Sequence, residues 1–175
     1  MKKAQVQNAK GEVRIIAGRW RGRKLPVLNA NGLRPTGDRM KETLFNWLMH
    51  HILDSRCLDC FAGSGSLGFE ALSRQARQVT FLELDKTVAN QLKKNLQTLP
   101  LEGQQQAEVI NQNSLDFLRQ APNEPTFDLV FLDPPFHFGL AEQAIALLDE
   151  HRWLVPEALI YVETEKGKAL SVPAD

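Results

Sequence analysis

Between residues 57 and 163 the chain alternates short apolar runs with stretches whose apolar residues recur every three or four positions. The runs near 57–61, 79–84, 107–111, 128–132 and 158–163 predict strands. The stretches between them predict helices near 66–76, 86–98, 114–120 and 139–150. Unbroken apolar runs suit strands covered on both faces, and the strand-helix alternation points to an α/β fold, a mostly parallel sheet with helices on both faces. The second helix carries Val88, Leu92, Leu96 and Leu99 along one face. It is expected to stop at Pro100, because proline has no amide to donate and restricts the residue before it.

Upstream, segments 13–18 and 19–27 read as two short extended pieces bent at glycines, a small β-hairpin. Residues 29–32 form a loop, and from about 36 to 53 the positions Met40, Leu44, Trp47, Leu48 and Ile52 have helical spacing. That helix joins the hairpin to the body, with Phe45 and Trp47 expected in its core. Trp20, between Arg19 and Arg21, suits either packing of the hairpin or stacking on a base.

Composition narrows the class. The chain has 175 residues, 43% apolar and 24% charged, which allows one compact domain whose core needs no disulfide or metal. No apolar run approaches the roughly 20 residues that cross a bilayer, and the N-terminus lacks the apolar stretch of a secretory signal, so a cytoplasmic protein without membrane contact is expected. The length and the want of an apolar surface stripe point to a monomer. Formal net charge is zero, but residues 1–43 hold 11 Lys and Arg against three acids, +8, and the remainder carries −8. A basic N-terminal quarter on an acidic body suits a polyanion-binding arm; a solvated basic tail is the alternative. The chain therefore divides into an arm, 1–35, and a domain, 36–175.

The chemistry concentrates in two turns. Asp59-Cys60-Phe61-Ala62-Gly63-Ser64-Gly65-Ser66-Leu67-Gly68 joins a predicted strand to a predicted helix. Glycines there admit positive φ and close approach of a ligand, and the helix start presents free amides. Such a turn can also serve packing alone, but Glu83, 20 residues after Gly63 at the end of the next strand, can accept both hydroxyls of a ribose. Together they indicate an adenosine-bearing cofactor. Asp59 suits a cationic amino acid moiety and would repel a pyrophosphate. The second turn, Asp133-Pro134-Pro135-Phe136, follows the fourth strand at the carboxyl edge, where open α/β sheets bind ligands. Two prolines fix φ and remove two donors, so the Asp133 carboxylate and Pro134 carbonyl form a rigid acceptor pair for an exocyclic amine, with Phe136 able to stack on the base.

These motifs resemble those of Rossmann-like class I methyltransferases that use S-adenosyl-L-methionine to modify exocyclic nitrogens. A narrower resemblance lies in Arg14-Ile15-Ile16-Ala17-Gly18-Arg19-Trp20-Arg21-Gly22-Arg23-Lys24-Leu25 and in Leu33-Arg34-Pro35-Thr36-Gly37-Asp38-Arg39-Met40-Lys41-Glu42-Thr43-Leu44-Phe45-Asn46-Trp47-Leu48. These segments resemble the RsmD family, bacterial 16S rRNA guanine-N2 methyltransferases. The resemblance spans nearly the whole chain. It implies that Phe61 belongs to the cofactor site, that Asp59 and the Gly63 to Gly65 turn hold the methionine end of the cofactor, that Glu83 holds its ribose, and that Asn113 and Ser114 lie by the adenine. It implies further that Asp133 to Phe136 receive guanine 966 of 16S rRNA or of the assembling small ribosomal subunit. Arg19, Arg21, Arg23, Lys24 and Arg34 would meet phosphates, which position RNA without reading sequence. Asn113 stands where many related methyltransferases carry an acid. The family also continues past the fifth strand into an antiparallel pair, without which one sheet edge would be open, so a chain ending at Asp175 is expected either to be a shortened one or to close its fold differently.

Cys57 and Cys60 have the spacing of a redox or zinc pair, but on a strand they point to opposite faces, and no second Cys or His pair stands nearby. Buried structural thiols are expected, and no metal. The four histidines lack metal spacing, and His137, after the second turn, is expected in an exposed loop. Residue chemistry alone leaves other acceptors open, adenine N6, cytosine N4 or a protein glutamine. It also leaves a dinucleotide-dependent oxidoreductase or a non-catalytic RNA-binding module.

Overall fold

A computed structural model describes residues 11–28, 37–134 and 139–163. The chain order is β1 (Gly11–Arg14), β2 (Lys24–Val27), α1 (Asp38–Trp47), α2 (Met49–Ile52), β3 (Arg56–Asp59), α3 (Ser66–Ser73), β4 (Gln78–Glu83), α4 (Lys86–Gln97), β5 (Gln106–Asn111), α5 (Ser114–Leu118), β6 (Phe127–Leu132), α6 (Leu140–Glu150) and β7 (Leu154–Val162). The two N-terminal strands form an antiparallel hairpin, with Gly11 opposite Val27 and Arg14 opposite Lys24. The other five form a parallel sheet in the order β5-β4-β3-β6-β7.

The period of two along the central strands sorts their side chains onto two faces. Cys57, Val79, Phe81, Leu129 and Phe131 meet α1, α3 and α4 through Leu44, Phe45, Leu67, Phe69 and Leu92. Leu58, Cys60, Leu82, Val130 and Leu132 meet α5 and α6 through Leu115, Leu118, Ala144, Ile145 and Leu148. Cys57 and Cys60 are thus buried free thiols in two different apolar layers. Burial pushes the Cys57 thiol up to about 12 and the Cys60 thiol higher still, so neither is a thiolate at neutral pH. Among the described residues no three potential metal ligands gather, and no helix is long and apolar enough to cross a membrane.

Caps set the helix starts. Asp85 accepts from the Val88 amide before α4, and Asn113 accepts from the Asp116 amide before α5. The third helix ends at Ser73, shorter than the periodicity predicts, because Gln75 turns left-handed at φ 74°. The fourth ends at Gln97, three residues before Pro100. The last strand starts at Leu154, earlier than the predicted 158. Its register shifts against β6 between Leu154 and Leu159, a stretch containing Pro156, which cannot donate to a ladder, and Glu157 at φ 64°. The outer strands β5 and β7 are only partly covered. Residues 164–175, where a closing segment would begin, lie outside the described residues.

The predicted connecting helix is broken at Leu48 into α1 and α2, and one expectation about it fails. Leu44, Phe45, Leu48 and Ile52 are buried, but Trp47 is 77% exposed and Met40 49%. At about 100° per residue, Met40 and Trp47 fall together at the rim of the buried stripe, whereas Lys41 falls at its centre. Lys41 is accordingly 1% exposed.

Candidate active site

In a sheet of this order the crossovers run one way from β3 through β4 to β5 and the other way from β6 to β7, so the connections that leave the carboxyl ends of the neighbouring strands β3 and β6 diverge. Such a switch point opens the crevice in which α/β sheets bind ligands. Asp59 ends β3, Glu83 ends β4, and Asp133 and Pro134 follow β6 directly. The two turns singled out in the sequence therefore flank one crevice. Pro135, Phe136 and His137 lie outside the described residues.

The glycine turn is built as its sequence requires. Gly63 and Gly65 have φ of 54° and 79°, the left-handed region that a side chain disfavours. A Cβ on Gly65 would come within 2.5 Å of the Phe69 ring and 2.7 Å of Leu92. The Gly63 amide donates to Glu83 Oε1 at 2.9 Å, and the Asp85 amide donates to Glu83 Oε2 at 2.9 Å. Glu83 is thus clamped by backbone beside the turn, with its side chain half-buried. Asn111 Nδ2 donates to the Glu83 and Leu84 carbonyls and ties the end of β5 to the same corner.

Asp59 is 3% exposed and accepts from the Gly68 amide in the first turn of α3 at 3.0 Å. Burial pushes its carboxyl up to about 8; the Gly68 bond opposes this, and the negative charges of Asp133 and Glu83 add to it. Three carboxyl groups facing one crevice favour a cation and oppose a pyrophosphate. Ser114 is buried, its hydroxyl donating to the Cys60 carbonyl, while Asn113 Oδ1 is engaged as the cap of α5. Phe61 is half-buried against the second apolar layer. These residues fit a cationic, ribose-bearing cofactor: a backbone-held carboxylate beside a turn free of side chains, and a buried acid whose ionised form awaits a positive partner.

The described part of the basic arm, residues 11–28, is docked onto the domain. Ile15, Trp20 and Leu25 belong to the same apolar layer as Phe45 and Phe69, so packing decides the role of Trp20, which is 6% exposed. Arg19 Nη2 donates to the Pro100 carbonyl at 2.6 Å and pairs with Glu102 at 3.1 Å; Arg23 Nη1 donates to the Thr98 carbonyl at 2.7 Å. Arg21 and Lys24 are exposed. Arg34 lies outside the described residues.

Sequence reading missed a cluster behind the turn: Lys41, Glu70 and Arg74. Glu70 is fully buried and accepts from the Ile16 and Ala17 amides at 2.9 and 3.1 Å and from Arg74 Nε at 2.8 Å. A lone acid between Phe69 and Ala71 in an otherwise apolar helix is the signal that marks it.

A parallel sheet with this switch point, a glycine turn after its first strand and carboxylates at its carboxyl edge define a Rossmann-like α/β fold, and its relatives make it a methyltransferase. A family model described as "Conserved hypothetical protein 95" matches residues 13–174. Ribosomal RNA small subunit methyltransferase D of Haemophilus influenzae is 78% identical over 99% of this chain and 89% of its own length. Its Escherichia coli K12 namesake is 54% identical over 94% and 81%. The solved Haemophilus influenzae chain HI0767 superposes with a TM-score of 0.81 at 74% identity, over 93% of this chain and 87% of that one. The chain belongs to this family, the RsmD methyltransferases, as the resemblance of its motifs implied.

Proposed function

We propose that this protein transfers a methyl group from S-adenosyl-L-methionine to the exocyclic N2 amine of guanine 966 in 16S rRNA of the small ribosomal subunit. The observation that carries the reading is the convergence of Asp59, Glu83 and Asp133-Pro134 on the carboxyl ends of β3, β4 and β6, on both sides of the switch point. The cofactor supplies an electrophilic methyl group on a sulfonium. Glu83, held by two amides, offers its oxygens to the ribose hydroxyls, and Asp59 with the Gly63 to Gly65 turn receives the methionine end. Phe61 lines the same cofactor site, and Asn113 and Ser114 border the adenine.

On the acceptor side the Asp133 carboxylate and the Pro134 carbonyl accept from the guanine amine. Two acceptors orient the amine so that its lone pair faces the crevice. As the nitrogen–methyl bond forms, the sulfur–methyl bond breaks and S-adenosylhomocysteine leaves. The extra proton on the methylated amine passes to the Asp133 carboxylate or to water, so that transfer needs alignment above all. Pro135 and Phe136 complete this turn in our reading, Pro135 by keeping it rigid and Phe136 by stacking on the extruded base. Arg21 and Lys24, exposed on the hairpin, take phosphates, and we assign Arg19, Arg23 and Arg34 the same surface. The division into an RNA-facing arm, 1–35, and a cofactor-binding domain, 36–175, is one of role, since the described arm packs into the domain's own apolar layer. The protein works in this reading as a cytoplasmic monomer on the assembling small subunit.

The test incubates the protein and methyl-labelled S-adenosylmethionine with small-subunit particles lacking the modification, then digests the RNA to nucleosides. Label in N2-methylguanosine at the expected site supports the reading. Label in another nucleoside overturns the acceptor assignment while leaving methyl transfer in place.

A further inference from the structure

Residues 14–20 of the arm are fastened to α3 at both ends of that helix. At its far end Ser73 Oγ accepts from the Trp20 amide at 3.0 Å and donates to the Ala17 carbonyl at 2.7 Å, and the Arg19 amide donates to the Ser73 carbonyl at 2.9 Å. Contact is close enough that a Cβ on Gly18 would lie 2.1 Å from the Ser73 carbonyl oxygen. Nearer the glycine turn the fastening is ionic. Lys41 Nζ donates to the Arg14 carbonyl at 2.7 Å and to Ser66 Oγ at 3.0 Å, and lies 3.7 Å from Glu70 Oε1. Two hydrogen bonds thus tie Lys41 to the arm and to the first residue of α3, and its charge pairs with the buried acid that accepts the Ile16 and Ala17 amides of the arm. Ser66 follows Gly65 directly, and its amide donates to Ser64 Oγ in the turn at 3.3 Å. Asp59 holds the same first turn through Gly68.

Packing alone does not require this arrangement. A buried charge network carries a desolvation penalty that well-packed apolar residues of similar volume avoid, and such replacements are often neutral or stabilising. What an apolar side chain cannot do is hold a carbonyl of one segment and a hydroxyl of another in fixed register. No buried polar side-chain atom among the described residues is left unsatisfied, so the cluster defines one geometry.

We propose that Lys41 is a positioning residue that locks the RNA-facing arm to the first turn of the glycine-turn helix, so that RNA and cofactor bind interdependently. The inference rests on the reading above, that the arm meets RNA and the turn meets the cofactor. The arm is docked already, so a cofactor in the turn adds restraint: holding Ser66 narrows the motion of Lys41 and of the Arg14 carbonyl, and the arm then loses less freedom on meeting RNA. By linkage RNA raises cofactor affinity by the same factor, about 5-fold or more for an ordinary allosteric pair.

The experiment measures S-adenosylhomocysteine affinity with and without saturating unmodified small-subunit particles, and particle affinity with and without S-adenosylhomocysteine. The wild-type protein is expected to show the same factor both ways. In Lys41→Met that factor falls to about one. Ser66→Ala, which keeps the Lys41–Glu70 pair and the Arg14 bond, decides the matter if Lys41→Met does not fold; it too is expected to lower the factor. A merely structural Lys41 would lower the unfolding temperature and leave the factor in the folded fraction intact. Wild-type protein that binds both ligands independently overturns the coupling alone, as does an undiminished factor in both variants. Wild-type protein that binds no particles overturns the RNA reading and the coupling with it.

Discussion

Replacing Asp59 by asparagine removes a carboxyl group that burial pushes up to about 8, with Asp133 and Glu83 reinforcing the shift against the Gly68 bond. At pH 7 such a group is about nine-tenths protonated in the free protein. A cationic cofactor in the crevice favours the ionised form; if it brings the group to about 6 or below, binding releases about 0.8 proton per site at pH 7. Calorimetric titration of S-adenosylmethionine in two buffers of different ionisation enthalpy reads that number as the slope of apparent enthalpy. The release should fade well above pH 8, where Asp59 is already ionised. Asp59→Asn should bind without it. Folding stability carries the same signature with a definite sign. The folded pKa lies above the unfolded value near 4, so the native state holds the extra proton and stability falls as pH rises from about 4 to about 8. Asp59→Asn should flatten that descent in denaturant titrations across the window. Equal proton release in wild type and Asp59→Asn, or none in wild type at pH 7, refutes the reasoning.

Asp133→Ala should abolish methyl transfer in single-turnover assays while leaving S-adenosylhomocysteine affinity nearly unchanged, because it removes an acceptor for the target amine; equal loss of both would contradict the assignment. The exposed pair Arg21→Ala and Lys24→Ala should flatten the salt dependence of RNA binding by about two units of log-log slope, one per phosphate contact, without lowering the unfolding temperature. Arg19→Ala differs because its guanidinium is tied to the Pro100 carbonyl and Glu102, so a lower unfolding temperature should accompany any loss of RNA binding. Gly68→Ala would place a Cβ 2.2 Å from the fully buried Phe81 ring and should cost about 1–3 kcal/mol, read as a lower denaturant midpoint at constant slope.

Much of this molecule is local and therefore legible in the chain. The strands at 57, 79 and 128 start within a residue of their predicted positions, because a strand buried on both faces needs a largely apolar run; β5, at the edge and partly covered, also starts within a residue of 107 although Glu108 interrupts its run. The glycine turn, the acid ending the next strand and the Asp133-Pro134 turn were readable because each depends on backbone freedom or rigidity encoded in a few neighbouring residues. The start of β7 was not, since Pro156 and Glu157 interrupt its pattern and only pairing with Phe127 carries the strand back to Leu154.

What the chain could not reveal is which face of an element meets which neighbour. Met40 and Trp47 share the apolar spacing of α1, yet the side that packs is centred on Lys41, because the arm and Glu70 lie across from it. Arg19 and Arg23 look like their neighbours Arg21 and Lys24, but carbonyls after α4, some 75 to 81 residues away in sequence, tie the first two down at the surface, Arg19 half-buried and Arg23 still exposed. Periodicity and turn chemistry follow from the sequence, because they rest on interactions between near neighbours. Whether a charged side chain faces water, substrate or the core depends on residues that only the folded chain brings beside it.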